Sequence, residues 1–366
     1  MAYIPLRISQ WATLHACSTH WAFTIAEMRR RCSEDQVYIS ILRPRSYATL
    51  HPADRGGCLD TWTETEERRR IWWAVLMFDR YAHAGFRFRP LSTTSIPADE
   101  LLPASDEDWE TGVSQNETSQ RQNAFITWIL TPHSQNLSIN PLLVMSMEAI
   151  TFVSPFARSC QVAHLLGRVC EHVNQHPSST DADFHFQEAL QLSLTIRALL
   201  KIIEEESDRA GPERYRYFAS RGLAYGALSI LYDVHSCVEP DDVEAVGGHR
   251  GLRLDIQRHA IDGFKQVSKE LSTLAADIEQ CCAFGMLDKL PLVVLFPLHA
   301  AAGTYAWHAR ETGAESSLSE LTHIRKIIQI LSTKWRIAGE SHDLFLCIYL
   351  GFPCCLSSRY LSKGLY

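Results

Sequence analysis

The sequence lacks the features that would place it in a membrane or outside the cell. Its longest apolar stretches, residues 290–303 and 344–356, contain prolines and are well short of the roughly 20 apolar residues that span a bilayer. The first eleven residues, MAYIPLRISQW, contain no uninterrupted apolar run like that of a secretory signal. We therefore expect no membrane contact, and we expect the 11 cysteines to be reduced thiols in an intracellular protein.

An excess of positive charge is also absent. The chain carries 35 Lys and Arg against 42 Asp and Glu, which gives a net charge of -7 and a pI near 6.1. The two arginine runs, residues 29–31 and 68–70, are flanked by acidic residues that nearly balance them. Because the chain has no overall basic field to attract a phosphate backbone, we expect it to contact DNA only indirectly or through a missing segment.

Sequence motifs for catalysis, cofactors and metals are missing as well. No pair of cysteines has the C-x2-C spacing of a zinc site, and neither a phosphate-binding P-loop nor the G-x-S-x-G turn of a nucleophilic serine occurs. The sequence therefore predicts that the protein is not an enzyme. We expect no catalytic residues, no cofactor-binding residues, no cofactor and no metal ligands in this chain.

The histidines offer one exception to weigh against that expectation. His172 and His176 are four residues apart, and His164 lies two turns earlier on nearly the same helical face, so the three could meet around a metal ion. The same residues stand just before Pro177, where imidazoles are favoured by the negative end of the helix dipole. We prefer the second interpretation, an ordinary helix end.

Two polar groups of residues also receive structural interpretations. Asp233, His235 and Ser236 have the residue types of a hydrolase triad, but triad members come together through the fold and seldom as neighbours at one helix end. Residues 204–206 are three consecutive glutamates, and we expect them to form a solvated helix face.

Helical periodicity dominates the chain, and residues 63–84 show it most clearly. Thr63 and Glu66 fit the capping box that begins a helix, and Gly85 and Pro90 end the pattern. We expect the buried face to consist of apolar residues three or four positions apart, extended by Trp72 and Leu76: Ile71, Val75, Phe78 and Ala82.

After this helix comes a polar interval at 92–122, which we expect to be a surface connection because it shows no periodicity. Helical patterns then return in segments separated by short breaks rich in Pro and Gly: 141–176, 182–206, 214–236, 254–284, 293–311 and 317–337. The sequence therefore predicts an all-α fold, a multi-helix regulatory domain built from consecutive helical hairpins.

The stretch 66–110 contains six separated sequence elements in a fixed order: Arg68-Arg69-Arg70, Trp72-Trp73, Asp79-Arg80, Arg89-Pro90, Leu102-Pro103, and Asp106 with Trp109. In this order they resemble the signature of the fungal-specific transcription factor domain, the middle homology region of the Zn2Cys6 binuclear zinc cluster regulators. The sequence departs from the family at Phe88, where a glycine usually stands.

Looser similarity continues toward the C-terminus, so the resemblance covers roughly residues 45–340. On this basis we assign three parts to the chain. Residues 1–44 are an N-terminal segment, residues 45–345 are the regulatory domain with its signature at 63–110, and residues 346–366 are a C-terminal tail.

The resemblance implies a nuclear transcriptional regulator that controls a metabolic or secondary-metabolite gene cluster. It also implies a homo- or heterodimer with another regulator and a small-molecule effector. In the family a Zn2Cys6 cluster precedes this domain and contacts DNA, but Cys17, Cys32 and Cys58 cannot supply six thiolates. DNA and zinc would therefore be bound by a missing N-terminal segment or by a partner.

Physically, the signature residues are expected to determine the fold and not to catalyse a reaction. The arginines can pair with glutamates, the two tryptophans can be buried, and Asp79 with Arg80 can form a charge-assisted clamp near the helix end. One alternative from another class remains, a helical small-molecule-binding module in the cytoplasm that does not bind DNA.

Overall fold

The computed structural model describes residues 62–85, 101–112, 153–175, 182–236 and 250–335. These residues form eight α-helices joined by short 3-10 helices, with no strand among them, which confirms the predicted all-α class. The helices are α1 (Trp62–Gly85), α2 (Asp106–Thr111), α3 (Pro155–Asn174), α4 (Ala182–Arg209), α5 (Phe218–His235), α6 (Arg250–Ala283), α7 (Leu295–Thr312) and α8 (Glu315–Ser332). A 3-10 helix, Gly211–Tyr217, connects α4 to α5.

The described helices belong to two compact units, and the division falls between Gln266 and Val267, inside α6. The predicted domain limits at 45 and 345 lie outside the described residues and stay predictions.

The first unit is organised around α3. This helix packs against α1, α4, α5 and the 3-10 helix, and 15 of its 20 residues are buried. Its start is well defined, because Ser154 Oγ accepts a hydrogen bond from the backbone N–H of Ala157 at 3.2 Å and Pro155 occupies the first turn. A helix surrounded on so many sides can carry few exposed residues, so it forms the centre of this unit.

The buried face of α1 differs from the one predicted. Ile71 is 42% exposed and Phe78 is 44% exposed, whereas Glu66, Arg69 and Arg80 are buried together with Trp73. The prediction counted only apolar residues, but charged residues can be buried when they pair with one another. The pairing of Glu66 with Arg69 and Arg70, and of Asp79 with Arg80, explains why this face is turned inward.

The predicted capping box at the start of α1 is also wrong. Thr63 already lies inside the helix, and the Glu66 carboxylate accepts a hydrogen bond from the backbone N–H of Ala104, 38 residues away. A long-range tertiary contact has replaced the local one.

The polar interval 92–122 contains more structure than a surface connection. Within its described part, 101–112, Leu102, Pro103 and Ala104 are buried, and α2 follows them. Ser105 Oγ accepts a hydrogen bond from the backbone N–H of Asp108 at the start of α2, and Gly112 ends it with a φ of 67°, a conformation that glycine adopts at low cost.

The predicted solvated face at 204–206 is wrong for Glu204 and Glu206, whereas the Glu205 side chain is 43% exposed. Glu206 binds the guanidinium of Arg158 on α3, with Arg158 Nε 2.9 Å from Glu206 Oε2, and Glu204 accepts a hydrogen bond of 2.6 Å from the hydroxyl of Tyr225 on α5. These carboxylates therefore tie α4 to both of its neighbours.

The second unit consists of the end of α6 together with α7 and α8. From Val267 to Cys281, α6 buries a stripe of apolar residues spaced three to four apart, and its Glu279 binds His323 and Lys326 on α8. After α8, Lys334 Nζ donates to the carbonyl oxygens of Leu287, Asp288 and Leu290 at 3.2, 2.8 and 3.0 Å. This one lysine fixes the turn between α6 and α7.

None of the helices within the described ranges is both long enough and apolar enough to cross a membrane. This finding concerns the described helices and carries no statement about the rest of the chain.

The burial of Trp72 leads to a stability prediction for α1. Replacement of Trp72, which is 4% exposed, by Ala should lower the free energy of unfolding by about 3 to 5 kcal/mol because it leaves a large cavity. Phe78→Ala, on the exposed side of the same helix, is the matched control and should cost less than about 1 kcal/mol. Urea denaturation of both variants measures the difference, and equal losses would contradict the burial of this face.

Candidate functional site

The signature arginines and the segment 101–109 meet at a buried carboxylate. Glu66 on α1 is fully buried, forms ion pairs with Arg69 and with Arg70 (3.2 Å from Arg70 Nε), and accepts the backbone N–H of Ala104 at 2.8 Å. A buried carboxylate is tolerated only when such partners replace its water shell. These contacts hold the segment 101–109 against α1.

Arg70 extends this arrangement in three directions. Its guanidinium binds Asp106 Oδ1 at 2.9 Å and the carbonyl oxygen of Ala104 at 2.9 Å, and it lies over the ring of Trp109 at 5.2 Å. It also lies 5.6 Å from the ring centre of Phe156 on α3. We call Glu66, Arg69, Arg70, Ala104 and Asp106 the arginine clamp.

The arginine clamp continues to the 3-10 helix through its aspartate. Asp106 Oδ2 binds Arg216 at 2.6 Å, and this hydrogen bond is the largest cause of the raised pKa of Arg216. Four separate stretches of the chain, carried by α1, α2, α3 and the 3-10 helix, therefore converge within a few residues.

The tryptophans and Leu102 fill the apolar space beside the arginine clamp. Trp72 and Trp73 contact each other edge to face with ring centres 4.9 Å apart, and Trp73 Nε1 donates to the carbonyl oxygen of Leu101 at 2.9 Å. Trp73 and Leu102 are both fully buried. The sequence predicted burial of the tryptophans, but it gave no indication that Leu102 packs in the same region.

Asp79 and Arg80 form the ion pair that we predicted from their order, at 3.0 Å and fully buried. Burial is the main cause of the lowered pKa of Arg80, and Asp79 opposes this effect by stabilising the positive charge. The Arg80 side chain lies so close to Gly167 on α3 that an added Cβ would be 2.6 Å from Arg80 Nε. Only glycine leaves room for this contact.

The remaining signature residues divide into two groups. Arg68 is half-buried at the edge of α1 and Pro103 is buried beside Leu102. Arg89 and Pro90 lie outside the described residues. The structural role that we assigned to the whole signature stays a prediction.

A second buried polar cluster lies where three helices end. His172 is near the end of α3, His185 is near the start of α4, and His235 is the last residue of α5. One ring nitrogen from each lies within 4.8 Å of the others, and all three side chains are buried. We call these three residues the histidine cluster.

Hydrogen bonds fix the orientation of two rings in the histidine cluster. His172 Nδ1 is 2.8 Å from Glu188 Oε2, and His172 Nε2 is 3.0 Å from His235 Nε2. An ionised carboxylate can only accept, so His172 Nδ1 carries the proton and Nε2 is left to accept from His235. The ring of His185 stacks on that of His172, with ring centres 3.9 Å apart.

The pKa values of His185, His235 and the neighbouring Glu188 are all lower than those of free side chains in water. Burial lowers the pKa of His185 to about 4 and that of His235 to about 3, and the His172 imidazole adds to both shifts. The hydrogen bond to His172 is the main reason that the pKa of Glu188 is lowered, and Arg168, 2.8 Å from Glu188, also contributes. At pH 7, His185 and His235 are therefore neutral and Glu188 is ionised.

Sequence reasoning did not find the histidine cluster. It grouped His172 with its sequence neighbours His164 and His176, but His176 lies outside the described residues and the neighbours of His172 in space come from α4 and α5. The order of the helices could have indicated this cluster. In consecutive antiparallel helices, the end of one helix lies beside the start of the next, which is where these three histidines stand.

The triad interpretation of Asp233, His235 and Ser236 finds no support in these contacts. Ser236 Oγ donates to the carbonyl oxygen of Asp233 at 2.9 Å, while His235 Nε2 is directed at His172. The serine hydroxyl therefore forms a hydrogen bond at the end of the helix, in agreement with our structural interpretation of these residues from the sequence.

The arginine clamp leads to a stability prediction. Glu66→Ala should lower the free energy of unfolding by about 3 to 5 kcal/mol, because it leaves the buried guanidinium of Arg69 and the N–H of Ala104 without this carboxylate. Glu67→Ala removes an exposed carboxylate from the same turn and should change stability by no more than about 0.5 kcal/mol. Chemical denaturation measures both, and a small loss for Glu66→Ala would disprove the importance of this contact.

The histidine cluster leads to a prediction about pH. In the unfolded chain the pKa of a histidine is near 6.5. Below this pH the unfolded state binds protons at positions 185 and 235, whereas in the folded state these two histidines stay unprotonated until a lower pH because their pKa values are lowered. The free energy of unfolding should therefore fall as the pH decreases from about 6.5 toward 4, by on the order of 2 kcal/mol per histidine at pH 5.

Denaturation at several pH values, in a buffer that contains EDTA, measures this effect. His235→Gln should show a smaller decrease between pH 7 and pH 5 than the parent chain, whatever its stability at pH 7. His323→Gln, at a half-buried histidine that pairs with Glu279, is the control and should keep the decrease that the histidine cluster causes. The same decrease in His235→Gln and in the parent would contradict the assignment.

Comparison with known proteins bears on the first of these two clusters. Residues 6–185 match the family model of the fungal specific transcription factor domain, a range that includes α1, α2 and α3 with the arginine clamp. Neither the curated proteins nor the solved structures include a significant match to the chain. The family match and the order of the signature elements agree, since the whole signature at 63–110 lies within the range 6–185 that matches the fungal specific transcription factor domain.

Proposed function

We propose that this chain is the regulatory part of a nuclear transcriptional regulator and that bases in DNA are read by a zinc-cluster segment or by a partner protein. The observation that carries this proposal is the family match over residues 6–185. It indicates a fungal transcription-factor-type regulatory domain. Target genes in a metabolic or secondary-metabolite gene cluster, and homo- or heterodimerisation, belong to the same proposal.

The charges of the described residues support this division of labour. Arg70, Arg80, Arg158 and Arg216 each pair with a carboxylate inside the fold, so they are not available to bind a phosphate backbone. The net charge of -7 also opposes DNA binding by the chain as a whole. These four arginines thus organise the domain, and a separate basic segment would contact DNA.

The arginine clamp gives this regulatory domain a defined physical basis. It joins α1, α2 and the 3-10 helix through charge pairs, and loss of one partner from the buried pairs at Glu66 is strongly destabilising. We therefore propose that regulatory activity depends on an intact arginine clamp.

A reporter assay tests the proposal. The full chain, fused to an unrelated DNA-binding module in a fungal cell, should change transcription from a reporter several-fold relative to the module alone. Glu66→Ala should abolish this effect because it unfolds or depletes the domain, and Glu67→Ala should retain it.

Two outcomes would contradict the proposal. One is a fusion that is expressed at the level of the control and changes transcription in neither an activation nor a repression reporter. The other is a tagged full chain that stays in the cytoplasm, which favours the alternative of a cytoplasmic small-molecule-binding module.

A further inference from the structure

We propose that His172, His185 and His235 bind a divalent transition metal ion of the zinc class at the junction of α3, α4 and α5. This site is independent of the regulatory function proposed above. It also differs from the zinc cluster expected by family resemblance, because its ligands are imidazoles and come from the helical domain itself.

The first argument is distance. Zinc binds histidine nitrogens at about 2.0 to 2.1 Å in a tetrahedral arrangement, which places ligand nitrogens about 3.4 Å apart. The ligand nitrogens of the histidine cluster lie within 4.8 Å of one another, and those of His172 and His235 are 3.0 Å apart. The nitrogens are therefore near the spacing of a tetrahedral site, and the remaining change is a rotation of the His185 ring.

The second argument is the outer shell of hydrogen bonds. A metal-binding histidine usually donates its other ring N–H to a carboxylate, which fixes the tautomer and makes the ligand nitrogen more basic. Glu188 does this for His172 at 2.8 Å, and Arg168 holds Glu188 in turn at 2.8 Å. The Nε2 of His172 consequently points into the histidine cluster, where it contacts His235 Nε2.

The third argument is electrostatic. His172 lies in the last turn of α3 and His235 is the last residue of α5, so the negative ends of two helix dipoles face the cluster. His185 and His235 are neutral at pH 7, which is the form that coordinates a metal. A cation placed among these rings therefore meets the negative ends of two helix dipoles, whereas His185, near the start of α4, lies at the positive end of a third.

Metal binding would require two local changes. His235 Nε2 now donates to His172 Nε2, so the proton of neutral His235 moves to Nδ1 and no net proton is released. The stacked rings of His172 and His185 have nearly parallel planes, 12° apart, so their lone pairs do not yet converge. The His185 side chain must rotate, and one coordination position then remains for water.

Zinc titration of the purified full chain tests the proposal. After treatment with EDTA, the chain should bind zinc, and zinc should raise its melting temperature. Cobalt(II) should give the visible absorption of a tetrahedral site. Because the chain has 16 His and 11 Cys, stoichiometry does not identify the ligands, and the assignment depends on variants.

His185→Gln and His235→Gln should each lose this zinc binding and the rise in melting temperature. Glu188→Gln should weaken zinc binding by about 10- to 100-fold, since it removes only the second-shell partner. His323→Gln, at a half-buried histidine on α8, is the matched control and should bind zinc as the parent does. Circular dichroism in EDTA identifies the variants that fold.

Three results would overturn the proposal. If the parent chain binds no zinc, the histidine cluster is a hydrogen-bonded network and not a metal site. If folded His185→Gln and His235→Gln bind zinc as tightly as the parent, the ion occupies other residues. If both histidine variants fail to fold, the zinc affinity of Glu188→Gln is the deciding measurement. A zinc affinity in this variant equal to that of the parent would reject the site.

Discussion

The buried carboxylate of Glu66 is the constraint on which the signature region depends. A carboxylate without water must be surrounded by donors, and Arg69, Arg70 and the N–H of Ala104 are those donors. Meeting this requirement fixes which side of α1 faces inward and brings the segment 101–109 to it. The burial of Trp73 and Leu102 beside the same contact then follows from geometry.

The arginine clamp and the histidine cluster are both anchored on α3, but at opposite ends. Phe156, near the start of α3, lies under Arg70, whereas His172 is in its last turn. Since α3 packs against α1, α4, α5 and the 3-10 helix, polar contacts at its two ends fix how these neighbours are arranged. The contact at the first end is between the Arg70 guanidinium and the Phe156 ring, and at the other end His172 binds Glu188 and His235.

The limit of the family match at residue 185 falls within the histidine cluster. The family match covers residues 6–185, so it includes the arginine clamp and His172 but excludes His235 on α5. The histidine cluster therefore depends on helices both inside and beyond the matched range. The match to the fungal specific transcription factor domain includes the whole arginine clamp, whereas the metal site proposed above also needs His235 from beyond the matched range.

Local properties of the sequence determined the positions of the helices, because periodicity, turn residues and caps act over a few residues, and the predicted segments agree with α1 and with α4 to α8. The signature, too, could be recognised from its order alone. Only the tertiary structure decided that Ile71 and Phe78 face outward, that Glu66 binds Ala104, and that His172 meets His185 and His235. These outcomes depend on which distant groups satisfy a buried charge or imidazole, and a one-dimensional pattern does not contain that pairing.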